Sequence, residues 1–100
     1  MLEKNVEKLF VREVQARGGI TYKFTSPGNV GVPDRIAITP EGQVWFVELK
    51  TETGRLSRMQ EYQLERLRRQ NCNVVVLYGR EEVEKVVTAI FNRAKGGDAE

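Results

Sequence analysis

The stretch that decides the fold is PDRIAITPEGQVWFVELK, residues 33–50. Its middle, TPEG at 39–42, carries proline and glycine at the second and fourth positions of a tight reverse turn. The residues on either side are apolar and rich in β-branched and aromatic types, which is typical of paired strands. We therefore predict a β-hairpin in which Asp34 lies opposite position 48 or 49.

This hairpin would bring charged groups together at one end. Side chains alternate along a strand, so Glu48 and Lys50 point to the same face as Val44 and Phe46. Asp34 would then meet Glu48 and Lys50. Two carboxylates beside an ammonium group suit a hard divalent cation and a phosphate. An exposed Glu–Lys pair is the plainer alternative, but here both residues close an otherwise apolar strand.

The rest of the chain predicts helices alternating with strands. The spacing of apolar residues indicates helices over 3–17, 57–70 and 81–94 and strands over 20–24 and 73–78. The resulting order, αβββαβα, predicts an α/β fold with a mixed sheet flanked by helices on both faces. We expect a single domain over residues 1–95 and a flexible C-terminal tail over residues 96–100.

The composition narrows the chemistry of any site. The chain has 100 residues, 40% of them hydrophobic and 30% charged, as in an ordinary globular domain. It has no histidine and one cysteine, Cys72, which excludes His-dependent hydrolases and nucleases and zinc sites built on His or Cys. A metal must be held by oxygen ligands, which favours Mg²⁺, with Mn²⁺ as a substitute. No apolar run approaches the length of a membrane span, so we expect a cytoplasmic protein with no membrane partner.

Charge is distributed unevenly, although the formal net charge is only +2. Arginines crowd residues 55–69, whereas residues 81–100 are mainly acidic. This pattern suits a phosphate-facing side, with Arg55 and Arg58 as candidate DNA contacts, but a solvated helix face explains it equally well. Lys23, on the short first strand, is a candidate phosphate contact, with an ordinary exposed lysine as the equal alternative.

Three short motifs occur in order: GVPD at 31–34, VELK at 47–50 and S-x-x-Q at 57–60. Together they resemble the VRR-NUC branch of the PD-(D/E)XK nuclease superfamily, and the resemblance covers nearly the whole chain. It implies a restriction-endonuclease-like αβββαβ core, with Asp34 and Glu48 as metal ligands and Lys50 as the catalytic lysine. The pattern does not decide whether Lys50 acts as a base or as an electrostatic stabiliser.

Three more residues complete the predicted site. The backbone carbonyl of Leu49 is a candidate hard ligand for the metal. Gln60 is explained by a capping box with Ser57, but it also faces the sheet, so we favour a catalytic role beside the metal or the scissile phosphate.

The resemblance implies a glutamate on the first helix, and Glu7 matches best as a metal-site residue. Glu3 and Glu13 also fall within the apolar arc, so periodicity does not choose among the three acids.

The resemblance also implies a function. We expect an Mg²⁺- or Mn²⁺-dependent, structure-selective DNA endonuclease that resolves Holliday junctions as a homodimer in a bacterial or phage-infected host cell. Two symmetric cuts need two sites, and a twofold pair of small domains supplies them. The alternatives are a nuclease that nicks flaps, single strands or duplex DNA, and a non-catalytic DNA-binding module. The presence of both acids and the lysine disfavours the latter.

Overall fold

A four-stranded mixed sheet organises the computed structural model, which describes residues 1–97. The elements within these residues are α1 (Glu3–Ala16), β1 (Ile20–Lys23), β2 (Arg35–Ile38), β3 (Val44–Lys50), α2 (Arg58–Arg69), β4 (Asn73–Tyr78) and α3 (Gly79–Gly97). The strands follow the order β1-β2-β3-β4, with β1, β2 and β3 antiparallel and β4 parallel to β3. The predicted α/β class and element order are confirmed.

The C-terminal helix is longer than predicted at both ends. It begins at Gly79, directly after β4, and continues to Gly97. It therefore includes residues 96 and 97 of the predicted tail, while residues 98–100 lie outside the described residues. An early start is possible because Gly79 adopts a φ of 79°, in the region that glycine enters without steric cost.

The hairpin forms with the predicted register. Its turn is closed by the N–H of Gly42, which donates to the carbonyl of Thr39 at 2.9 Å. Gly42 has a φ of 88°, which the turn needs and which favours glycine. The paired residues of β2 and β3 then place Asp34, one residue before β2, level with Glu48.

Residues of β3 alternate between two different environments. Val47 and Leu49 point towards α1 and α3 and belong to the main hydrophobic core, together with Val6, Leu9, Phe10, Val14, Ala37, Leu77, Val83, Val87 and Phe91. Glu48 and Lys50 point to the opposite face, where α2 packs against β4. The sheet thus separates the buried apolar core from the face that carries the charged residues of the hairpin.

A capping box sets the start of α2. The hydroxyl of Ser57 accepts from the N–H of Gln60 at 3.1 Å, and the Gln60 side chain accepts from the N–H of Ser57 at 2.8 Å. This reciprocal pair satisfies backbone groups that the first helical turn leaves unpaired. The predicted capping box is confirmed, and it holds Gln60 in one position relative to the sheet.

Within residues 1–97, no helix is both long enough and apolar enough to span a lipid bilayer.

Candidate active site

Three carboxylates converge at the end of the hairpin. Glu3, Asp34 and Glu48 each offer an oxygen, and these oxygens all lie within 4.8 Å of one another. They come from the first turn of α1, the residue before β2, and β3. Glu3 is exposed, Asp34 is half-buried and Glu48 is buried, so the cluster opens to solvent at Glu3. An all-oxygen donor set of this kind suits Mg²⁺ or Mn²⁺.

Glu48 is the most constrained member of this carboxylate cluster. The residue is 0% exposed. Its Oε2 accepts a hydrogen bond from Gln60 Nε2 at 3.1 Å and lies 3.8 Å from Lys50 Nζ. Its Oε1 is buried and has no hydrogen-bond partner among the described residues. A buried polar atom without a partner is unfavourable, so this oxygen marks a position where a cation would be stabilising.

The surroundings of Glu48 disfavour its ionised form when no cation is present. Burial is the largest cause, and the negative charge of Asp34 adds to it, so the pKa of Glu48 rises from 4.5 to about 8. The positive charge of Lys50 opposes this rise. A divalent cation between the carboxylates would supply the missing positive charge and favour ionisation of Glu48.

Asp34 and Lys50 are held in place by the same strand. The N–H of Leu49 donates to Asp34 Oδ2 at 2.9 Å, which orients one carboxylate oxygen and leaves the other for a ligand. The Lys50 side chain is only 11% exposed, and its ammonium group stays beside Glu48. The structure therefore brings Asp34, Glu48 and Lys50 together as predicted, whereas the metal-binding role of the Leu49 carbonyl stays a prediction.

Gln60 joins the helix cap to the site. Its side-chain oxygen accepts from the backbone of Ser57, and its side-chain nitrogen donates to Glu48. The two explanations that the sequence left open are thus compatible, because each uses a different end of the amide. A direct catalytic role for Gln60 stays a prediction.

A glycine allows the chain to reach the site. Gly31 has a φ of 93°, and a Cβ placed on it would lie 2.5 Å from the carbonyl carbon of Met59. The loop before Asp34 therefore runs directly against the first turn of α2, and a larger residue would push the two segments apart. This contact explains why the GVPD motif begins with glycine.

The structure places Glu3 rather than Glu7 at the carboxylate cluster. Glu7 lies one turn further along α1, where its Oε2 accepts from Arg35 Nε at 3.0 Å and lies 3.8 Å from Lys23 Nζ. Both acids share the inward arc of α1, but only the packing of α1 on the sheet decides which turn lies level with Asp34. The pairing also engages Lys23, one of the predicted phosphate contacts.

The other two predicted DNA contacts lie near the start of α2. Arg55 and Arg58 are exposed, and neither forms an ion pair with another described residue. They are close in sequence to Ser57 and Gln60, whose side chains connect this end of α2 to the site. Their contact with DNA stays a prediction.

Several known proteins are similar to this chain in sequence or in fold. The VRR-NUC domain family model matches residues 10–81. A curated protein from Acyrthosiphon pisum secondary endosymbiont phage 1, named "Putative nuclease p44", is 54% identical over 48 residues, which are 48% of this chain and 52% of that protein. The match to this relative therefore spans about half of its length.

Two solved structures resemble most of this chain. One, named "VRR_NUC domain", is 33% identical with a TM-score of 0.81, and the match covers 86% of this chain and 94% of that one. The other, named "VRR_NUC domain protein", is 15% identical with a TM-score of 0.73, covering 92% of this chain and 89% of that one. At that identity the second likeness shows a shared fold alone.

Proposed function

This chain belongs to the VRR-NUC domain family, and on that premise we propose that it is a metal-dependent, structure-selective DNA endonuclease. The observation that carries this proposal is the buried carboxylate of Glu48, which has one oxygen held by Gln60 and the other, beside Asp34, without a partner among residues 1–97. A buried carboxylate that lacks a partner lowers the stability of the fold, but it can bind a cation, and the cation can bind an anionic substrate. We place the activity in the cytoplasm of a bacterial or phage-infected cell.

The residues present fit a divalent cation. Glu48, Asp34 and Glu3 would hold Mg²⁺ or Mn²⁺ through carboxylate oxygens, and the Leu49 carbonyl is available as a further oxygen ligand. When bound, such an ion supplies positive charge for the phosphate and the leaving oxygen. Oε1 of Glu48, which no described residue pairs with, is the structural reason for proposing the ion here.

The protein groups around the cluster each have a defined part in hydrolysis. The oxygen of a water molecule attacks phosphorus and the water loses a proton to solvent, while the bond from phosphorus to the leaving oxygen breaks and that oxygen takes up a proton from solvent. Lys50, held near Glu48, orients the water and offsets negative charge that develops on the phosphate. Gln60 holds Glu48, and the Leu49 N–H holds Asp34, so neither acid has to reorganise during the reaction.

Contacts to the DNA backbone would come from positively charged side chains around the carboxylate cluster. Arg55 and Arg58 are exposed beside the start of α2, and Lys23 is exposed at the end of β1. Contacts of this kind position the substrate without reading its sequence. Binding should therefore weaken as salt increases and show little dependence on base sequence.

We further propose that the enzyme resolves four-way junctions as a homodimer. A junction needs two symmetric cuts, and a twofold pair of domains supplies two sites. Support comes from an apolar patch on one face of the sheet, where Ile20 and Tyr22 of β1 are 51% and 58% exposed and Val44 of β3 is 41% exposed. Exposed apolar patches often mark protein interfaces. Light scattering should show a dimer that Ile20→Glu converts to a monomer, and a monomeric unmodified protein would contradict this assembly.

The activity can be tested on a synthetic four-way junction and a duplex of matching sequence, with Mg²⁺ or with EDTA. We expect metal-dependent cleavage of the junction, lost in Asp34→Asn and retained in Glu41→Gln, a control that removes an exposed acid from the hairpin turn. Equal cleavage of both substrates would contradict the junction preference. Absence of cleavage with Mg²⁺ or Mn²⁺ on junction, flap, single-stranded and duplex DNA would contradict the nuclease proposal.

A further inference from the structure

A groove of about 500 Å³ runs between α2 and the loop of residues 24–32, outside the carboxylate cluster. Its α2 wall includes Tyr62, Arg66 and Arg69, and its loop wall includes Phe24 and Asn29. Aromatic, guanidinium and amide groups facing one groove are the chemistry that recognises nucleotides. The volume is within the range of small-molecule binding sites.

The α2 wall of this groove presents an aromatic ring and a positive charge together. Tyr62 is 55% exposed, and the guanidinium carbon of Arg66 lies 5.7 Å from the centre of its ring. Arg66 forms no ion pair with an acid in the described part of the chain, so its charge is available to a phosphate. Arg69 lies 3.6 Å from Glu65 in an exposed pair, which holds it only weakly.

The groove is connected to the carboxylate cluster on both walls. Gln63 lines the groove and follows Gln60 by three residues, or about 4.5 Å along the helix axis. Gln63 also donates to the carbonyl of Val30 at 3.3 Å, which joins α2 to the loop. That loop continues directly into Asp34. A DNA strand with a phosphate at the cluster therefore has the groove beside it.

We propose that this groove receives an unpaired base of the DNA strand next to the scissile phosphate, stacked on Tyr62 and steadied by Arg66. The identity of the ligand as DNA rests on the proposed function. A base within a continuous duplex would have to leave its stack to enter, whereas a base in a flap is already free and a base at the centre of a four-way junction that opens on binding stacks on one side only. The groove thus gives the enzyme a preference for DNA with unpaired or incompletely stacked bases.

Binding can be measured without cleavage, in EDTA, with a single-stranded oligonucleotide that carries 2-aminopurine and with a duplex of the same sequence. The fluorescence of the single strand should change on binding as its base stacks. Tyr62→Ala should weaken single-strand binding by about tenfold, the effect of losing one stacked base, while Tyr62→Phe retains it. Duplex binding should change little in either variant.

A matched pair of arginine variants distinguishes binding in the groove from a general effect of positive charge on DNA affinity. Arg66→Ala and Arg68→Ala remove the same charge from the same helix, but Arg68 does not line the groove. We expect Arg66→Ala to weaken single-strand binding several-fold more than Arg68→Ala. Equal losses in the two variants would overturn the proposal.

Other outcomes distinguish the proposal for the groove from the proposal that the protein is a nuclease. Equal affinity of the unmodified protein for single strand and duplex would overturn the groove assignment even if the protein cleaves DNA. Tyr62-dependent binding of the single strand would support the groove even if no cleavage occurs with Mg²⁺ or Mn²⁺, an outcome that removes only the nuclease proposal. Tighter binding of RNA of the same sequence would overturn the assignment to DNA.

Discussion

Burial has opposite effects on the stability of the fold on the two faces of β3. Leu49 is 1% exposed and packs in the core beneath α1 and α3. Its neighbour Glu48 is 0% exposed and points to the other face, where its carboxylate lies beside Asp34, Lys50 and Gln60. Removing Leu49 from water stabilises the fold by about 1.5–3 kcal/mol. Burying the Glu48 carboxylate opposes folding whenever that group is ionised and unpaired.

This difference indicates how a small domain can carry a charged site. The core face supplies stability through apolar contacts that are not directed at any ligand. The other face holds a carboxylate in an environment that raises its pKa to about 8, because burial and the charge of Asp34 outweigh the effect of Lys50. The fold therefore supports an unfavourable group whose geometry suits a cation.

The largest expected effect is on catalysis, and it should distinguish Lys50 from its core-facing neighbour Leu49. Lys50→Ala should lower the rate of DNA cleavage by at least about 100-fold, because the charge that stabilises the phosphate in the transition state is lost. The free energy of unfolding should change little. Initial rates on a four-way junction measure the first quantity, and urea denaturation measures the second. Lys85→Ala, which removes an exposed lysine from α3, is the control and should leave both unchanged.

Leu49→Ala should produce the opposite pattern. Deleting this buried side chain should lower the free energy of unfolding by about 2–5 kcal/mol, since it leaves a cavity between the sheet and the helices. Urea denaturation measures this loss, and cleavage should be compared at equal concentrations of folded protein. A rate loss as large as that of Lys50→Ala, with unchanged stability, would contradict the division between the two faces.

Glu48→Gln should also impair cleavage, but it should stabilise the metal-free protein. Because the folded pKa of about 8 exceeds the ordinary value of 4.5, folded protein keeps a proton that unfolded protein releases between these values. The free energy of unfolding should therefore fall as the pH rises from about 5 to about 8. The amide can still accept from Gln60, and at about pH 8 the variant should be more stable than the parent by a few kcal/mol, an advantage that disappears towards pH 5.

Urea denaturation in EDTA across this pH range measures the effect of the Glu48 charge. The parent protein should lose stability with rising pH, and Glu48→Gln should lose less. Parallel pH profiles for the two proteins would show that the Glu48 carboxylate does not oppose folding.

The smallest expected effects divide the two functions of Gln60. Ser57→Ala removes only the cap and should lower the free energy of unfolding by about 1 kcal/mol while cleavage persists. Gln60→Glu keeps an oxygen that accepts from Ser57 but loses the donor to Glu48, so cleavage should fall while the helix start is retained. Denaturation and cleavage rates together check the division, and normal cleavage by Gln60→Glu would exclude the amide donor from the site.

Local rules were sufficient for the hairpin and the start of α2. The TPEG turn and the alternation of β3 place Asp34 level with Glu48, and the structure has that register. The capping box of Ser57 and Gln60 also follows from spacing along the chain. These features depend on residues that are close in sequence, so turn geometry and side-chain periodicity determine them.

The positions of Glu3 and Gln60 in the site depend on contacts between segments that are distant in the chain. Helical periodicity identifies the inward arc of α1, but Glu3 and Glu7 share that arc, and the docking of α1 decides which of them meets Asp34. The bond from Gln60 to Glu48 likewise depends on where α2 lies over the sheet. The groove between α2 and the loop could not be read from the sequence, since no single segment contains both walls.

The sequence by itself determined the order of the elements, the register of the hairpin and the residue types that can hold a cation, because turns, periodicity and side-chain chemistry act over short distances. Only the tertiary structure decided which acid of α1 joins the cluster, that one oxygen of Glu48 lacks a partner within the described part of the chain, and that a groove lies beside the site. These depend on the packing of segments distant in the chain, where a shift of one helical turn, about 5.4 Å, replaces one side chain by another.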